Sequence, residues 1–136
     1  MVYLYVLRKK SRKNIIKTLD KVFSEYIRRR YAKNDIAECF TCGKKDHWKK
    51  MQCGHFQSRK YYSTRWNEDN CQVQCVGCNM FKGGEQYKFG LHLNMKYGDK
   101  KAEKLFLLAK KTKKFINFEL IEKIEYYKNL IASLNS

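Results

Sequence analysis

Apolar and polar positions along this 136-residue chain follow a helical period at both ends and lose it in the middle. From about Arg12 to Tyr31, Ile16, Leu19, Phe23, Tyr26 and Ile27 recur at three- and four-residue steps, which is the spacing of one helix face. Ser11 stands where a side-chain cap belongs. Arg28, Arg29 and Arg30 end the segment with positive charge, suited both to a helix C-terminus and to phosphate. Residues 34 to 80 break the pattern. Their apolar stretches are short and separated by Cys, His, Gly and Asn, predicting a knuckle, a hairpin and a loop that close onto a helix starting near Cys78.

Helical spacing then returns in three segments. The first runs from about Cys78 to Tyr97, breaks around Gly83 and Gly84, and stops at Gly98. The second follows Asp99, a good N-cap, to about Lys111. The third follows Asn117 and carries Leu120, Ile124, Tyr127, Ile131 and Leu134 as a stripe. That stripe is expected to face the core, and over its two heptads it is also a candidate seam for a homodimer. The apolar start, Val2 to Leu7, reads as a short strand or packed tail. It is too short to span a bilayer, and no charge precedes it as in a signal peptide. The pattern predicts an α+β fold in a single domain, 1–136. A basic N-terminal helix (8–33) and C-terminal helices (91–136) flank a small metal-stabilised core (34–90).

Charge changes the picture most. The chain carries 30 Lys/Arg against 13 Asp/Glu, a formal net charge of +17, and a body this small repels itself unless a polyanion neutralises it. Nucleic acid is the expected partner, ahead of an anionic membrane. Hydrophobic content of 43% and aromatic content of 15% exclude wholesale disorder. An intracellular site is expected, where thiols stay reduced and clustered cysteines indicate metal before disulfides.

Cys39-Phe-Thr-Cys42-Gly43 has the form of a zinc knuckle, with two thiolates on a tight turn that glycine permits. Cys75-Val-Gly-Cys78 is a second pair, placed where a helix begins. Tetrahedral Zn²⁺ needs four ligands, and these two pairs supply them. Cys53 and Cys71 have no partner at ligand spacing and read as buried, inert thiols. His47 sits in a charged loop and is left out of the site.

Between the pairs lie His55, Asn70 and, directly after the last cysteine, Asn79, at separations of 15 and 9 residues. This constellation resembles the HNH, or ββα-metal, nuclease motif. The resemblance implies a zinc-bound treble-clef core with His55 on a strand as general base, Asn70 bracing the hairpin loop and Asn79 binding a catalytic divalent metal. The chemistry suits those types. A neutral imidazole is matched to take a proton from water at pH 7. A hard cation on phosphate oxygens offsets charge that grows during attack, and asparagine is a neutral oxygen ligand for it. Zinc closed by four thiolates cannot serve in that role, so two metals are implied, Zn²⁺ and Mg²⁺ or Mn²⁺.

The likeness narrows further. Cys53-Gly-His-Phe-Gln-Ser-Arg59, Tyr62-Ser-Thr-Arg65-Trp-Asn-Glu-Asp-Asn70 and Gln74-Cys-Val-Gly-Cys-Asn79-Met-Phe-Lys-Gly-Gly84 resemble the phage NinG (Rap) recombination proteins over roughly residues 9 to 134. The Cys-Asn ending is also similar to the endonuclease VII junction resolvases. The resemblance implies structure-selective cleavage of branched DNA, such as Holliday junctions and D-loops, inside a phage-infected bacterial host. Two positions depart from the wider motif. Gly54 stands where many HNH nucleases carry a metal-binding aspartate, and Gly83 where some carry a further histidine. Glu68, Asp69 and Glu85 are then the candidates for missing metal oxygens. Arg59 and Arg65 are expected to hold DNA phosphate, with Lys60 and Lys82 nearby. Tyr61, Tyr62 and Trp66 are candidates for stacking on bases, and Trp66 equally for the core. Two rivals remain: a zinc module that binds DNA junctions without cutting, and an RNA-binding zinc protein.

Overall fold

The structure, a computed structural model, describes residues 6, 7 and 9–135. Most of the apolar start and Arg8 therefore lie outside the described residues. The chain divides into two compact units, Met1–Tyr26 with Lys114–Ser136, and Ile27–Lys113.

Helix α1, Arg12–Arg29, begins in the first unit. The Ser11 hydroxyl accepts the Asn14 N–H at 3.3 Å, so the expected cap is present. Ile15, Leu19 and Phe23 are buried on one face, and the buried isoleucine is Ile15 where the periodicity pointed to Ile16. The last helix, Asn117–Leu134, completes this unit with Leu120, Ile121, Ile124 and Tyr127 buried. Phe23 and Tyr127 meet edge to face at 4.9 Å between ring centroids. The C-terminal stripe is thus spent on a core within the chain, which leaves Leu134, 40% exposed, as its solvent-facing end.

The second unit is built on two small antiparallel sheets. A two-residue turn with Asn34 and Asp35 both at positive φ (51° and 65°) feeds β1, Ile36–Glu38. β1 pairs with β2, Lys45–His47, and the knuckle lies between them. A short 3₁₀ turn, Trp48–Lys50, leads to β3, Gln52–His55. His47 caps this turn by accepting the Lys49 N–H on Nδ1 at 3.1 Å, consistent with its exclusion from the metal site. β3 pairs with β4, Cys71–Gln74, with His55 opposite Cys71 and Gly54 opposite Gln72. One helical turn, α2 (Tyr62–Arg65), lies in the loop that joins these strands.

After β4 the chain makes a π-helical turn, Gly77–Phe81, rather than entering a helix at once. Gly83 (φ 60°) and Gly84 (φ 87°) then break it as expected, before α3, Gln86–Tyr97. Gly98, at φ 110°, stops α3, and its N–H closes on Asn94 O at 2.9 Å. Helix α4 runs Lys101–Ala109. Asp99 is not its cap. Asn94, one turn from the end of α3, accepts the Ala102 N–H on Oδ1 at 2.9 Å and supplies that cap across the corner.

The core of this unit has two parts. Ala37, Cys39, Trp48, Met51, Val73, Cys75 and Cys78 cluster around the cysteines. Phe89, Leu93 and Leu105 pack between α3 and α4, with Phe40 and Phe56 against them. The arginine trio splits. Arg28 and Arg29 lie over the Trp48 ring at 5.0 and 4.9 Å, whereas Arg30 is buried. Arg30 Nη2 donates to Glu68 O (3.0 Å), Cys71 O (2.8 Å) and Gln72 Oε1 (3.1 Å). It is an internal staple for the β4 approach, so neither solvation nor phosphate contact describes it. Among the described residues no helix is long and apolar enough to cross a membrane.

Candidate metal centre and hairpin site

Cys39, Cys42, Cys75 and Cys78 bring their four sulfurs within 4.8 Å of one another. Backbone bonds set this up. Cys39 N–H donates to Lys44 O at 2.8 Å and Gly43 N–H to Cys39 O at 2.9 Å, which folds the knuckle under its two thiols with Gly43 at φ 80°. Phe40 N–H donates to Val73 O at 2.8 Å and ties the knuckle to β4. On the other side, Cys78 N–H points at Cys75 Sγ at 3.4 Å. Cys42 and Cys75 sulfurs stand 3.7 Å apart. Zinc–sulfur bonds of about 2.3 Å put tetrahedral sulfurs about 3.8 Å apart, so that edge already has the dimension the ion requires.

The thiols also show what a cation would relieve. Burial raises Cys39, but hydrogen bonds from the Thr41 hydroxyl and from backbone N–H groups outweigh it and lower it to about 6. Burial pushes Cys78 up to about 12. The Lys44 backbone bond draws Cys42 down, yet burial and its neighbouring thiols leave it raised. The metal-free site therefore holds thiolate and thiol together, and a divalent ion would displace the remaining protons. The residues fit a structural ion such as Zn²⁺.

His55, Asn70 and Asn79 occupy β3, the end of the hairpin loop and the π-helical turn. His55 Nε2 lies 2.9 Å from Arg65 O. A carbonyl only accepts, so in the neutral ring this nitrogen carries the proton and Nδ1 the lone pair. Asn70 is fully buried and ties both ends of the loop. Its Oδ1 accepts Gln57 N–H at 2.8 Å, and its Nδ2 donates to Gln57 O and Thr64 O, each at 3.1 Å. Phe56 N–H closes on Asn70 O at 2.9 Å. Asn79 N–H donates to Cys75 O at 2.9 Å, and its side-chain amide donates to Gln52 Oε1 at 2.7 Å.

The three acidic candidates are not gathered at Asn79. Glu68 approaches Arg30 at 3.9 Å, Asp69 pairs with Lys101 at 2.6 Å, and Glu85 pairs with Lys88 at 3.3 Å. What the fold brings to that face are amides. Gln52 and Gln74 are cross-strand partners beside Gly54. A Cβ at Gly54 would stand 1.9 Å from Gln74 Oε1, so the glutamine fills the space that a side chain at position 54 would need. Gln74 Nε2 is engaged by Thr41 Oγ1 and Gly84 O, at 3.0 and 2.9 Å, whereas its buried Oε1 has no hydrogen-bond partner.

The basic candidates divide as well. Arg65 Nη1 donates to Arg59 O at 2.9 Å, and its guanidinium lies 5.6 and 5.3 Å from the Tyr62 and Trp66 rings. Trp66 is buried and stacks on Tyr62, so it belongs to the hairpin core. Arg59, Lys60 and Lys82 are exposed. A groove of about 300 Å³, unanticipated from the sequence, runs between Lys60, Tyr61 and Tyr62 on one side and Lys110, Lys111 and Lys113 on the other. Ser63, donating to Leu108 O at 2.8 Å, fastens its two walls. The sequence feature that marks it is the basic stretch Lys110, Lys111, Lys113 and Lys114 at the end of the second helical segment.

Fold and site together define an α+β protein with a four-cysteine centre able to hold a structural metal ion. The chain belongs to the Bacteriophage Lambda NinG protein family, whose model it matches over residues 5–136. No match was found among curated proteins or among solved structures.

Proposed function

We propose that this chain is an HNH-type, metal-dependent endodeoxyribonuclease that hydrolyses phosphodiester bonds in branched DNA during phage recombination, with Holliday junctions and D-loops as substrates. The observation that carries the reading is the double anchoring of the hairpin. Arg65 O fixes the His55 ring, and buried Asn70 pins the loop on which Arg65 sits. A merely structural histidine needs no such buried brace one loop away. The order of knuckle, hairpin and Cys78-Asn79 turn supports a treble-clef reading, and the family membership adds the recombination context.

In this reading Nδ1 of His55 takes the proton from the attacking water while the proton on Nε2 stays with Arg65 O. Asn79 would hold a hard divalent cation, Mg²⁺ or Mn²⁺, with DNA phosphate oxygens completing its ligands. That cation, when bound, supplies charge stabilisation at the phosphodiester. The four-cysteine ion, being closed, only fixes the turn that presents Asn79. Lys60, Tyr61 and Lys110 in the groove, with Arg59 and Lys82, position the DNA backbone, and Tyr61 offers a stacking face. Two cuts resolve a four-way junction, so two copies acting as a homodimer on one junction belong to the proposal.

One observation favours a second reading, a junction-binding zinc module without cleavage: all three candidate carboxylates are committed to basic side chains. Wild type and His55→Ala, each incubated with a labelled four-way junction and Mg²⁺ or Mn²⁺, separate the two. Cleavage by wild type and its loss in the variant support the nuclease. Equal cleavage by both would remove His55 from the mechanism, and binding without cleavage by either would establish the module.

A further inference from the structure

The sheet register assembles a second group of soft ligands that the cysteine spacing concealed. In the β3–β4 pair His55 lies directly opposite Cys71, and Cys53 is two residues before His55. Side chains alternate along a strand, so Cys53, His55 and Cys71 share one face of the hairpin. Their donor atoms all lie within 4.8 Å of one another. Cys71 is fully buried, whereas Cys53 and His55 are half-buried, so the group is closed on one side and open on the other.

We propose that Cys53, His55 and Cys71 form a second metal site, distinct from the four-cysteine centre, that takes a thiophilic divalent ion such as Zn²⁺ and leaves one coordination position open. Two thiolates and one imidazole are the donor set of open, three-ligand zinc sites. The charge balances: Cys53 and Cys71 each give up one proton on binding, and two thiolates neutralise a 2+ ion. Selectivity follows from softness, because Mg²⁺ and Mn²⁺ prefer oxygen donors.

The site has a consequence that rests on the nuclease reading. A lone pair on His55 cannot both hold a metal and accept a proton from water. An ion bound by Cys53, His55 and Cys71 therefore switches the base off, and Zn²⁺ becomes an inhibitor of the Mg²⁺-supported reaction.

The full chain, purified with its structural zinc, is titrated with Zn²⁺ and read by equilibrium metal content. A parallel titration with Co²⁺ is read by thiolate-to-metal absorption. Wild type is expected to take up one further ion per chain. Cys53→Ser and Cys71→Ala are each expected to lose that ion while retaining the first. In cleavage assays with Mg²⁺, each referred to its own rate without added zinc, Cys53→Ser is expected to need at least tenfold more Zn²⁺ for half-inhibition than wild type. No second ion in wild type, or a second ion unchanged in both variants, overturns the site. Equal zinc sensitivity of wild type and Cys53→Ser overturns the inhibition. If wild type cleaves nothing with any metal, the nuclease reading and the inhibition fall together, and the titrations still decide the site.

Discussion

Replacing Asn70 with alanine tests whether the hairpin loop is held as the hydrogen bonds imply. The side chain makes four bonds, one accepted from Gln57 N–H and three donated, to Gln57 O, Thr64 O and, at a longer 3.9 Å, Cys71 Sγ. Their losses are unequal. Thr64 O keeps the Asn67 N–H at 3.2 Å, so it is not orphaned. Gln57 is half-buried, and its N–H and carbonyl both lose a partner in a part-buried setting. An unmet buried group costs about 1–3 kcal/mol, less where water has access. With the small void left by the amide, the expected loss is about 2–4 kcal/mol. That is a large part of the roughly 5–15 kcal/mol that holds a domain folded. Urea denaturation of the zinc-loaded protein measures the total, and hydrogen exchange at the Gln57 amide reports the local effect. A loss below about 0.5 kcal/mol, the range of ordinary surface substitutions, with Gln57 protection unchanged, would refute the brace.

Three further outcomes are expected. Arg30→Lys keeps the charge but loses the fork that reaches Glu68 O, Cys71 O and Gln72 Oε1; it should destabilise by about 2–3 kcal/mol in the same denaturation assay. Zinc affinity of the four-cysteine centre should rise with pH. At pH 7 Cys39, lowered to about 6, is already thiolate, while raised Cys42 and Cys78 must each release a proton, so the apparent constant should climb by at least about two log units per pH unit between pH 6.5 and 8, measured against a competing chelator. Acid reverses this, most steeply below pH 6, where Cys39 is protonated too. Lys60→Gln with Lys110→Gln should weaken junction binding and lower the slope of log affinity against log salt by about 0.7–0.9 for each phosphate no longer neutralised, and an unchanged slope would place DNA elsewhere.

Features fixed by local chemistry were legible in the sequence. The Cys39/Cys42 and Cys75/Cys78 pairs announced themselves because a tetrahedral ion demands them. Ser11, Gly98 and the Gly83-Gly84 break were visible because caps and left-handed positions restrict residue choice. Features made by pairing distant strands were not. Cys53 and Cys71 looked solitary because 18 residues separate them along the chain, and only the register of β3 on β4 brings them to His55. Arg30 sat in a basic run whose pattern suggested surface, yet its position at the end of α1 aims it at three acceptors on the β4 approach. Gly54 read as a missing metal ligand; its reason is Gln74, whose amide occupies the space in front of it. Asp99 lost its capping role to Asn94, a competitor that appears only once two helices meet at a corner.

In the proposed nuclease one turn serves two ends: Cys78 closes the structural metal centre and Asn79, the next residue, serves cleavage. Asn79→Ala, assayed for zinc content, helical signal and cleavage of a labelled four-way junction in Mg²⁺ or Mn²⁺, tests it most directly. Bound zinc and fold equal to wild type with cleavage lost are expected, whereas Cys78→Ser loses zinc, fold and cleavage together. Cleavage by Asn79→Ala at the wild-type rate, with its zinc in place, would contradict it.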